Sequence, residues 1–370
     1  MKLQIKREPF VENLNRLVPV TTGKQAMPIL SNVYLRCQNK DFEDHLMMDA
    51  CDLETYLKIV STDCQVEEAG GICLDGKKLY EIAKNMTGAD LVMEKTGTQR
   101  VKISSGASSF HLNGLDGADF PSWPADDSSA TLSVPREALA LAIDRTIYAS
   151  AKDESRFNLN SVLFEVIDKS IRLVSTDGHR MAFVDNVAEV ELDSAKLLIP
   201  RKSLIAIRKF IDKTQTPIDI EICSKHIRIS AENASLGCRL IDGDYPDYNK
   251  VIPQSTGTVI AVNREALKKS LEMIRLMTTD RNKGINISIK GKELTASATN
   301  PDLGSAQDTI EIEYGGADID LIVNVEYVLE NLAAVDDEHI QIEYHKDGAP
   351  LVMRPVNDLG YFNIVMPMRK

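Results

Sequence analysis

The sequence lacks the short motifs that mark many enzymes. None of the patterns G-x-S-x-G, H-E-x-x-H or G-x-x-x-x-G-K followed by Ser or Thr occurs among its 370 residues. These patterns build the nucleophile elbow, the zinc-protease helix and the phosphate-binding loop. Their absence argues against these three chemistries, and we expect no catalytic site, no cofactor and no metal site.

Long apolar runs and targeting segments are also absent. No run approaches the ~20 residues that cross a bilayer, and the N-terminal stretch MKLQIKREPF has neither an apolar core nor a small-residue cleavage site. The six cysteines, at positions 37, 51, 64, 73, 223 and 238, form no C-x-x-C pair, which argues against a zinc ribbon or a redox centre. We therefore expect a cytoplasmic protein with reduced thiols and no membrane partner.

Aromatic residues make up only 5% of the chain and form no cluster suited to stacking on bases. An Arg/Gly-rich segment, a helix-turn-helix signature and a zinc-finger signature are likewise missing. Base-specific recognition of nucleic acid is therefore not indicated, and any contact would be made to phosphates through Lys and Arg.

What the sequence does contain is a threefold repeat of about 125 residues. Each copy has a short alternating stretch, an Arg-Glu pair and a segment with one apolar helical face, and the pairs are Arg7-Glu8, Arg136-Glu137 and Arg264-Glu265. A second helix start recurs at 74–79, 199–204 and 323–328. The repeat predicts an α+β fold of three copies, 1–128, 129–254 and 255–370, each with two helices on an antiparallel sheet.

Charge is unevenly spread along these copies. The net charge is −12, which by itself disfavours a nucleic-acid partner. However, five of the six helical stretches (7–16, 77–85, 136–145, 201–213 and 264–275) together carry 16 basic and 8 acidic residues. The sixth, 326–338, carries five acids and no base. A basic set of helices on an acidic protein indicates a surface that faces a polyanion, although a solvated helix face would show the same pattern.

The middle copy carries a richer motif, Ser-Thr-Asp-Gly-His-Arg-Met at 175–181. Asp177 and His179 are candidates for a hydrolytic or metal site, but no partner nucleophile stands in a recognisable motif. A turn, in which Gly178 supplies a positive φ and Asp177 caps the backbone, is the simpler interpretation.

Four separated motifs resemble one known family. They are Val174 to Met181, the linker LIDGDYPDY at 240–248, the helix start Asn324-x-x-Tyr327, and the ending VMPMR at 365–369. In order and spacing they resemble the bacterial sliding clamps, the β subunits of DNA polymerase III. The resemblance covers essentially all 370 residues, including the repeat.

The resemblance implies a head-to-tail homodimer that closes a ring around double-stranded DNA, with helices lining the hole and sheets outside. Such a contact closes a ring only if its rotation closes. The positions that match the family's dimer interface are Phe110 and Leu112 against Leu276 and Met277. DNA contact is expected at Lys24, Lys77, Arg156, Phe157, Arg201 and Lys202. The Arg-Glu pairs themselves carry no net charge, so we expect them to have a structural role.

The resemblance also implies a groove for short linear peptides of the replicative polymerase, the clamp loader and other proteins with a clamp-binding motif. It matches Leu159, Thr176, Gly178, His179, Arg180, Met181, Pro246, Lys250, Val251, Asn324, Tyr327, Met366, Pro367, Met368 and Arg369. Methionines suit a surface that accepts several ligands. Lys370 and Asn282 stand where apolar and aromatic residues are usual in the family, so we expect a more polar slot. The function expected is a processivity factor loaded by an ATP-driven partner; the alternative is a monomeric hydrolase using Asp177 and His179.

Overall fold

The computed structural model describes residues 1–22, 27–123, 128–253, 257–345 and 348–368. The first third contains β1 (Lys2–Lys6), α1 (Arg7–Thr21), β2 (Asn32–Lys40), β3 (Glu43–Cys51), β4 (Thr55–Ser61), β5 (Cys64–Glu68), β6 (Gly70–Asp75), α2 (Gly76–Asn85), β7 (Asp90–Lys95), β8 (Arg100–Ser105) and β9 (Ser108–Asn113). The middle third contains β10 (Ser128–Val134), α3 (Arg136–Asp144), β11 (Ser161–Ile167), β12 (Ser170–Thr176), β13 (Arg180–Val184), β14 (Ser194–Pro200), α4 (Arg201–Ile211), β15 (Ile218–Cys223), β16 (His226–Ala231) and β17 (Ala234–Arg239).

The last third repeats this order, with β18 (Thr258–Asn263), α5 (Arg264–Arg275), β19 (Gly284–Lys290), β20 (Glu293–Asn300), β21 (Gly304–Glu311), β22 (Ile319–Asn324), α6 (Val325–Ala333), β23 (His339–Tyr344), β24 (Leu351–Pro355) and β25 (Tyr361–Val365). Short 3-10 helices stand at Pro28–Ser31, Gly117–Asp119, Ile147–Ala149 and Tyr248–Val251. Each third therefore begins with a strand that runs into a helix at its Arg-Glu pair, which confirms the predicted repeat.

The strands form four antiparallel sheets. Their orders are β5-β1-β7-β8-β9, β10-β15-β16-β17-β4-β3-β2-β6, β14-β11-β12-β13-β25-β24-β23-β18, and β21-β20-β19-β22. The two eight-stranded sheets join strands from different thirds, through the pairs β17·β4 and β13·β25. By its contacts the chain accordingly divides into two units: Met1–Arg136 with Ile205–Leu240, and Glu137–Leu204 with Ile241–Lys370. The middle third is shared between them because strand pairing continues across the sequence repeats.

Local sequence explains why these elements form. In β4 the residues Thr55, Leu57, Ile59 and Ser61 are buried in strict alternation, as a strand with one covered face requires. In α5 the buried residues include Leu267, Leu271 and Ile274, at the i, i+4, i+7 spacing of one helical face. None of the helices in the described ranges is both long and apolar enough to cross a membrane.

The sixth helix differs from its prediction. We expected 326–338 to carry five acids, but α6 ends at Ala333 and contains only Glu326 and Glu330. The run Val335 to Glu338 leaves the helix and leads to β23, with Val335 still buried. The apolar spacing therefore continued past the helix end, and the strong acidity assigned to this helix belongs to the following loop.

The Arg of the Arg-Glu pair is an anchor. Arg7 donates from its backbone N to the carbonyl of Ala89 at 2.9 Å and from Nε to the carbonyl of Gly88 at 2.9 Å. Arg264 does the same in the last third: its backbone N donates to Glu338, and its Nε donates to the carbonyl of Asp337 at 2.9 Å. In the first and last thirds the arginine of the pair thus ties the first helix to the loop after the second, in agreement with a structural role for this residue.

Replacing Arg264 by alanine is expected to lower the free energy of unfolding by about 1–3 kcal/mol, because the carbonyls of Asp337 and Leu332 lose a charged donor. The measurement is the urea unfolding curve. The matched control is Glu265→Ala, since Glu265 is 59% exposed and its ion pair with Arg264 lies at the surface. Equal destabilisation by the two changes would contradict the anchoring role.

Candidate partner-docking site and related surfaces

The motif at 175–181 forms a tight turn between β12 and β13. The Asp177 Oδ1 atom accepts from the backbone N of His179 at 2.9 Å and of Arg180 at 3.1 Å. Gly178 has a φ of +89°, a conformation that L side chains rarely adopt. The turn interpretation of this motif is therefore confirmed.

The same turn occurs in the other two thirds. The Asp52 Oδ1 and Asn300 Oδ1 atoms each accept from the backbone N two and three residues ahead, as Asp177 does. The backbone of the middle motif is therefore not an addition to the repeat. What distinguishes the middle copy is the set of side chains that the turn presents.

Arg180 is the centre of a buried polar network. Its side chain is 5% exposed. It donates from Nε to Asp177 Oδ2 at 3.1 Å, from Nη1 to Glu330 Oε2, and from Nη2 to the carbonyl of Tyr148 at 2.6 Å. Its guanidinium lies 4.5 Å from the Tyr327 ring centroid and 5.4 Å from that of Tyr148. Arg180 therefore connects the turn to α6 and to the Ile147–Ala149 helix.

A cleft of about 360 Å³ opens beside this network. Four residues predicted for the groove line this cleft: His179, Arg180, Asn324 and Tyr327. Arg156, which the sequence assigns to DNA contact, lines it as well. The remaining lining residues are Ser150, Ala151, Lys152, Asp153, Asp177, Lys283, Glu326 and Glu330. Acids and bases are balanced on these walls, so the cleft offers hydrogen-bonding groups without a strong field of either sign.

The C-terminal segment crosses the edge of this cleft. The Met366 backbone N donates to the carbonyl of His179 at 2.9 Å, and the Met368 N donates to the carbonyl of Ile322 at 2.8 Å. Pairing of β13 with β25 sets Arg180 opposite Val365. Met366 and Pro367 are half-buried, and Met368 is 41% exposed. The tail is thus held by backbone bonds while its side chains stay accessible.

The linker after β17 lies close to the loop before β11. The Asn158 Nδ2 atom donates to the carbonyl of Asp244 at 2.7 Å. This bond brings half-buried Leu159 and exposed Pro246 into the same region, followed by Val251, which is 42% exposed. Lys250 is exposed and pairs with Asp247 at 3.4 Å. Leu159, Pro246 and Val251 are therefore accessible apolar side chains, and the charged Lys250 precedes Val251 in the chain.

Met181 differs from the other groove candidates because it is only 2% exposed. It packs in a cluster with Leu163, Val174, Tyr245 and Ile364. It therefore shapes the floor below the turn. Thr176 also supports the turn, since its hydroxyl donates to the carbonyl of Arg180 at 2.6 Å and accepts from Gly178 N at 3.0 Å.

The sequence did not identify two residues that contact Arg180, namely Tyr148 and Glu330. Tyr148 is half-buried, and the loss of solvent around its hydroxyl raises its pKa well above the ordinary value. Burial also raises the pKa of Tyr327, with a further contribution from the Asp177 carboxylate. Glu330 lies one turn after Tyr327 on α6, and this i, i+3 spacing was a readable signal. Tyr148 gave no such signal because only tertiary folding places it beside Arg180.

The position of Asn282 bears on the tail. Its Oδ1 atom accepts from Gly284 N at 3.1 Å. A side chain at Gly284 would meet both Asn282 Oδ1 at 3.2 Å and Met368 Sδ at 3.3 Å. Asn282 therefore lies near Met368, so its amide makes the surroundings of this methionine more polar than an aromatic ring would.

The residues predicted for dimer and DNA contact vary in exposure. Phe110 on β9 is 44% exposed, Leu276 at the end of α5 is 73% exposed, and Leu112 and Met277 are half-buried. Lys77, Arg156 and Lys202 are exposed, and Phe157 is 69% exposed. Lys24, Arg369 and Lys370 lie outside the described residues.

Arg201 makes its contacts inside the protein. Its Nη1 atom donates to the carbonyl of Ile147 at 2.5 Å and to Ser150 Oγ at 3.2 Å. Burial lowers its pKa. Among the described residues no group of three or more His, Cys, Asp or Glu side chains is arranged to hold a metal ion.

Three domain models of one family match consecutive parts of this chain. The N-terminal domain of the DNA polymerase III beta subunit matches residues 1–124, the central domain 133–247 and the C-terminal domain 249–369. The chain belongs to the DNA polymerase III beta subunit family. Three clamp domains therefore account for nearly all of it, and the mixed α/β elements with antiparallel sheets match the sliding-clamp fold.

Individual relatives of this family agree over the full length. The Beta sliding clamp of Pseudomonas putida is 28% identical over 370 residues, with all of both chains covered. A crystal structure of the DNA polymerase sliding clamp from Pseudomonas aeruginosa with ligand has a TM-score of 0.95 at 26% identity, again covering all of both chains. Another clamp structure from that species, bound to griselimycin, has a TM-score of 0.94 at 26% identity and the same coverage.

Membership of this family decides between the two functions left open by the sequence. Its members are sliding clamps, replication proteins that act with DNA and a polymerase as processivity factors rather than as catalytic enzymes. The hydrolase alternative at Asp177 and His179 is therefore wrong. In agreement with this, both oxygens of Asp177 are occupied by the turn and by Arg180.

Proposed function

We propose that this protein forms a homodimeric ring around duplex DNA and tethers the replicative polymerase, conferring processivity. The supporting observation is the full-length match to sliding clamps together with an accessible cleft around Arg180. We place the three domains at 1–128, 129–254 and 255–370. A clamp loader would open and close the ring in the cytoplasm, where bacterial DNA is replicated.

The dimer contact would join two sheet edges head to tail. β9 pairs only with β8, and β21 pairs only with β20, within the described chain. Such unpaired edges readily take another strand. Phe110 lies on β9, while Leu276 and Met273 expose apolar side chains at the end of α5. Pairing of β9 with β21 of a second copy would cover these residues and continue one sheet into the next.

Contact with DNA would be weak and independent of sequence. Duplex DNA carries one charge per ~1.7 Å, so a short helix faces on the order of ten phosphates. We assign this contact to exposed Lys77, Lys202 and Arg156, with Phe157 next to Arg156 in the chain and Lys24 as a further candidate. Arg201 contributes less, because its guanidinium is engaged with the Ile147 carbonyl.

The cleft around Arg180, together with Leu159, Pro246 and Val251, would capture the linear motifs of partners. The polar rim would come from His179, Asn324 and Tyr327. The adaptable apolar contacts would come from the tail residues Met366 to Met368. Pro246 and Val251 would extend the apolar surface. A solved relative carries griselimycin, so clamps of this fold do accept ligands.

Leu276→Asp tests the ring. The native protein is expected to be a dimer at micromolar concentration by light scattering, and to be retained on circular DNA after loading by a clamp loader with ATP. Burying an unpaired carboxylate at the interface should shift the variant to monomer and abolish retention. The matched control is Leu359→Asp, because Leu359 is 78% exposed without a proposed contact. A native monomer that is not retained on DNA would overturn the proposal.

A further inference from the structure

A second cavity, of about 350 Å³, opens in the unit formed by Met1–Arg136 and Ile205–Leu240. We call it the Arg16 cleft. Its walls are mainly apolar and come from α1, β4, α4 and β17, including Leu57, Phe210 and Leu236. A cavity of this size suits a small organic ligand. The proposed clamp function uses none of these residues for partner docking.

One wall of the Arg16 cleft carries a guanidinium that forms no ion pair with another described residue, although the Glu232 carboxylate attracts it. The Arg16 guanidinium lies 5.3 Å from the centroid of the Phe210 ring. Its Nε and Nη2 atoms are buried and have no hydrogen-bond acceptor in the described part of the chain. Such groups cost free energy unless an acceptor is supplied. The guanidinium therefore favours an anion in the adjoining cavity.

The charges around Arg16 support the same conclusion. Burial lowers the pKa of Arg16. The Glu232 carboxylate acts in the opposite direction but has the smaller effect. Glu232 Oε1 accepts from the backbone N of Gln215 at 2.8 Å. Lys209 and Lys213 also line the cleft, while the acidic lining residue Asp212 already accepts from Arg208. The rim is therefore positive and the walls apolar.

We propose that the Arg16 cleft binds a small organic anion composed of a carboxylate and an apolar chain. The carboxylate of this anion lies near Arg16 and Lys213. There it accepts a charge-assisted hydrogen bond from the Arg16 guanidinium, whose buried nitrogens have no acceptor among the described residues. The apolar chain packs against Phe210, Leu57 and Leu236. Neither a free phosphate, which lacks the chain, nor a neutral alcohol, which lacks the charge, satisfies both parts.

The test is isothermal titration calorimetry of the full-length protein with octanoate, below its micelle concentration. We expect saturable binding at one site per chain. Arg16→Gln should weaken it about tenfold, the loss expected for one charge-assisted contact. Ala206→Leu should weaken it similarly by filling the cavity without changing its charge. Thermal unfolding of each variant shows whether the fold is kept.

Controls separate this site from non-specific binding. Lys40→Gln removes an exposed base at the end of β2 in the same unit and should leave octanoate binding unchanged. Octanol should bind at least about tenfold more weakly than octanoate, because it leaves Arg16 without an anion. Inorganic phosphate should not displace octanoate at equal concentration.

Three results would overturn the proposal. They are the absence of saturable octanoate binding, equal binding by octanol, and unchanged octanoate affinity in the folded Arg16→Gln and Ala206→Leu variants. A loss of duplex DNA affinity in Arg16→Gln, measured by fluorescence anisotropy, without octanoate binding to the native protein would instead assign Arg16 to phosphate contact. None of these outcomes bears on the dimer or on polymerase tethering.

Discussion

Replacing Arg180 by alanine is expected to lower the free energy of unfolding of its unit by about 3 kcal/mol and to abolish peptide capture. Removing one member of a buried ion pair typically costs about 3–5 kcal/mol. The lower end applies because Asp177 keeps its two backbone hydrogen bonds and Glu330 is 33% exposed. Urea unfolding and calorimetric titration with a polymerase-derived peptide measure the two effects.

Two neighbouring variants make this prediction specific. Arg180→Lys keeps the charge but cannot reach Asp177, Glu330 and the Tyr148 carbonyl at once, so most of the loss should remain. His179→Ala changes an exposed side chain and should alter stability by no more than about 0.5 kcal/mol while weakening the peptide. If Arg180→Ala were as stable as His179→Ala, the network would not be holding the turn to α6.

Deleting Met366 to Lys370 is expected to reduce affinity for the same peptide by at least about a hundredfold, since several proposed contact residues leave together. The deletion removes the two backbone bonds that tie the tail to His179 and Ile322. β25 ends at Val365, so the eight-stranded sheet keeps its strand order. Light scattering should therefore still report a dimer.

A side-chain variant distinguishes the tail's contacts from its mere presence. Met368→Ala keeps the backbone bond to Ile322 but removes the 41% exposed thioether side chain. It should give a loss between those of the native protein and the deletion. Unaltered peptide affinity in a dimeric deletion variant would refute the assignment of the tail to the groove.

Much of the fold followed from local patterns. The Arg-Glu pairs predicted three strand-to-helix junctions, because alternation and the 3.6-residue period are properties of neighbouring residues. The turn at Asp177 followed from an Asp and a Gly at fixed positions, since both act on their own backbone. The extent of α6 did not follow, because the buried position of Val335 imitates another helical turn although the helix ends at Ala333.

The groove residues were named through a family resemblance. The sequence did not show which of them are buried and which are exposed. Met181 and Arg180 read as surface candidates but are 2% and 5% exposed. Arg201 read as a base free for DNA but donates to Ile147. Burial of this kind depends on which strands and helices pack over a residue, and no spacing within the motif records that.

The sequence by itself determined the threefold repeat, the six helix starts and the turn that presents His179. These depend on contacts between residues a few positions apart, where the chain's own geometry leaves few choices. Only the tertiary structure decided that Glu330 meets Arg180, that β25 brings the tail to His179, and that the middle third is shared between two units. Those contacts join residues far apart in the chain, and they are fixed by strand pairing and by the burial of charges that must find partners.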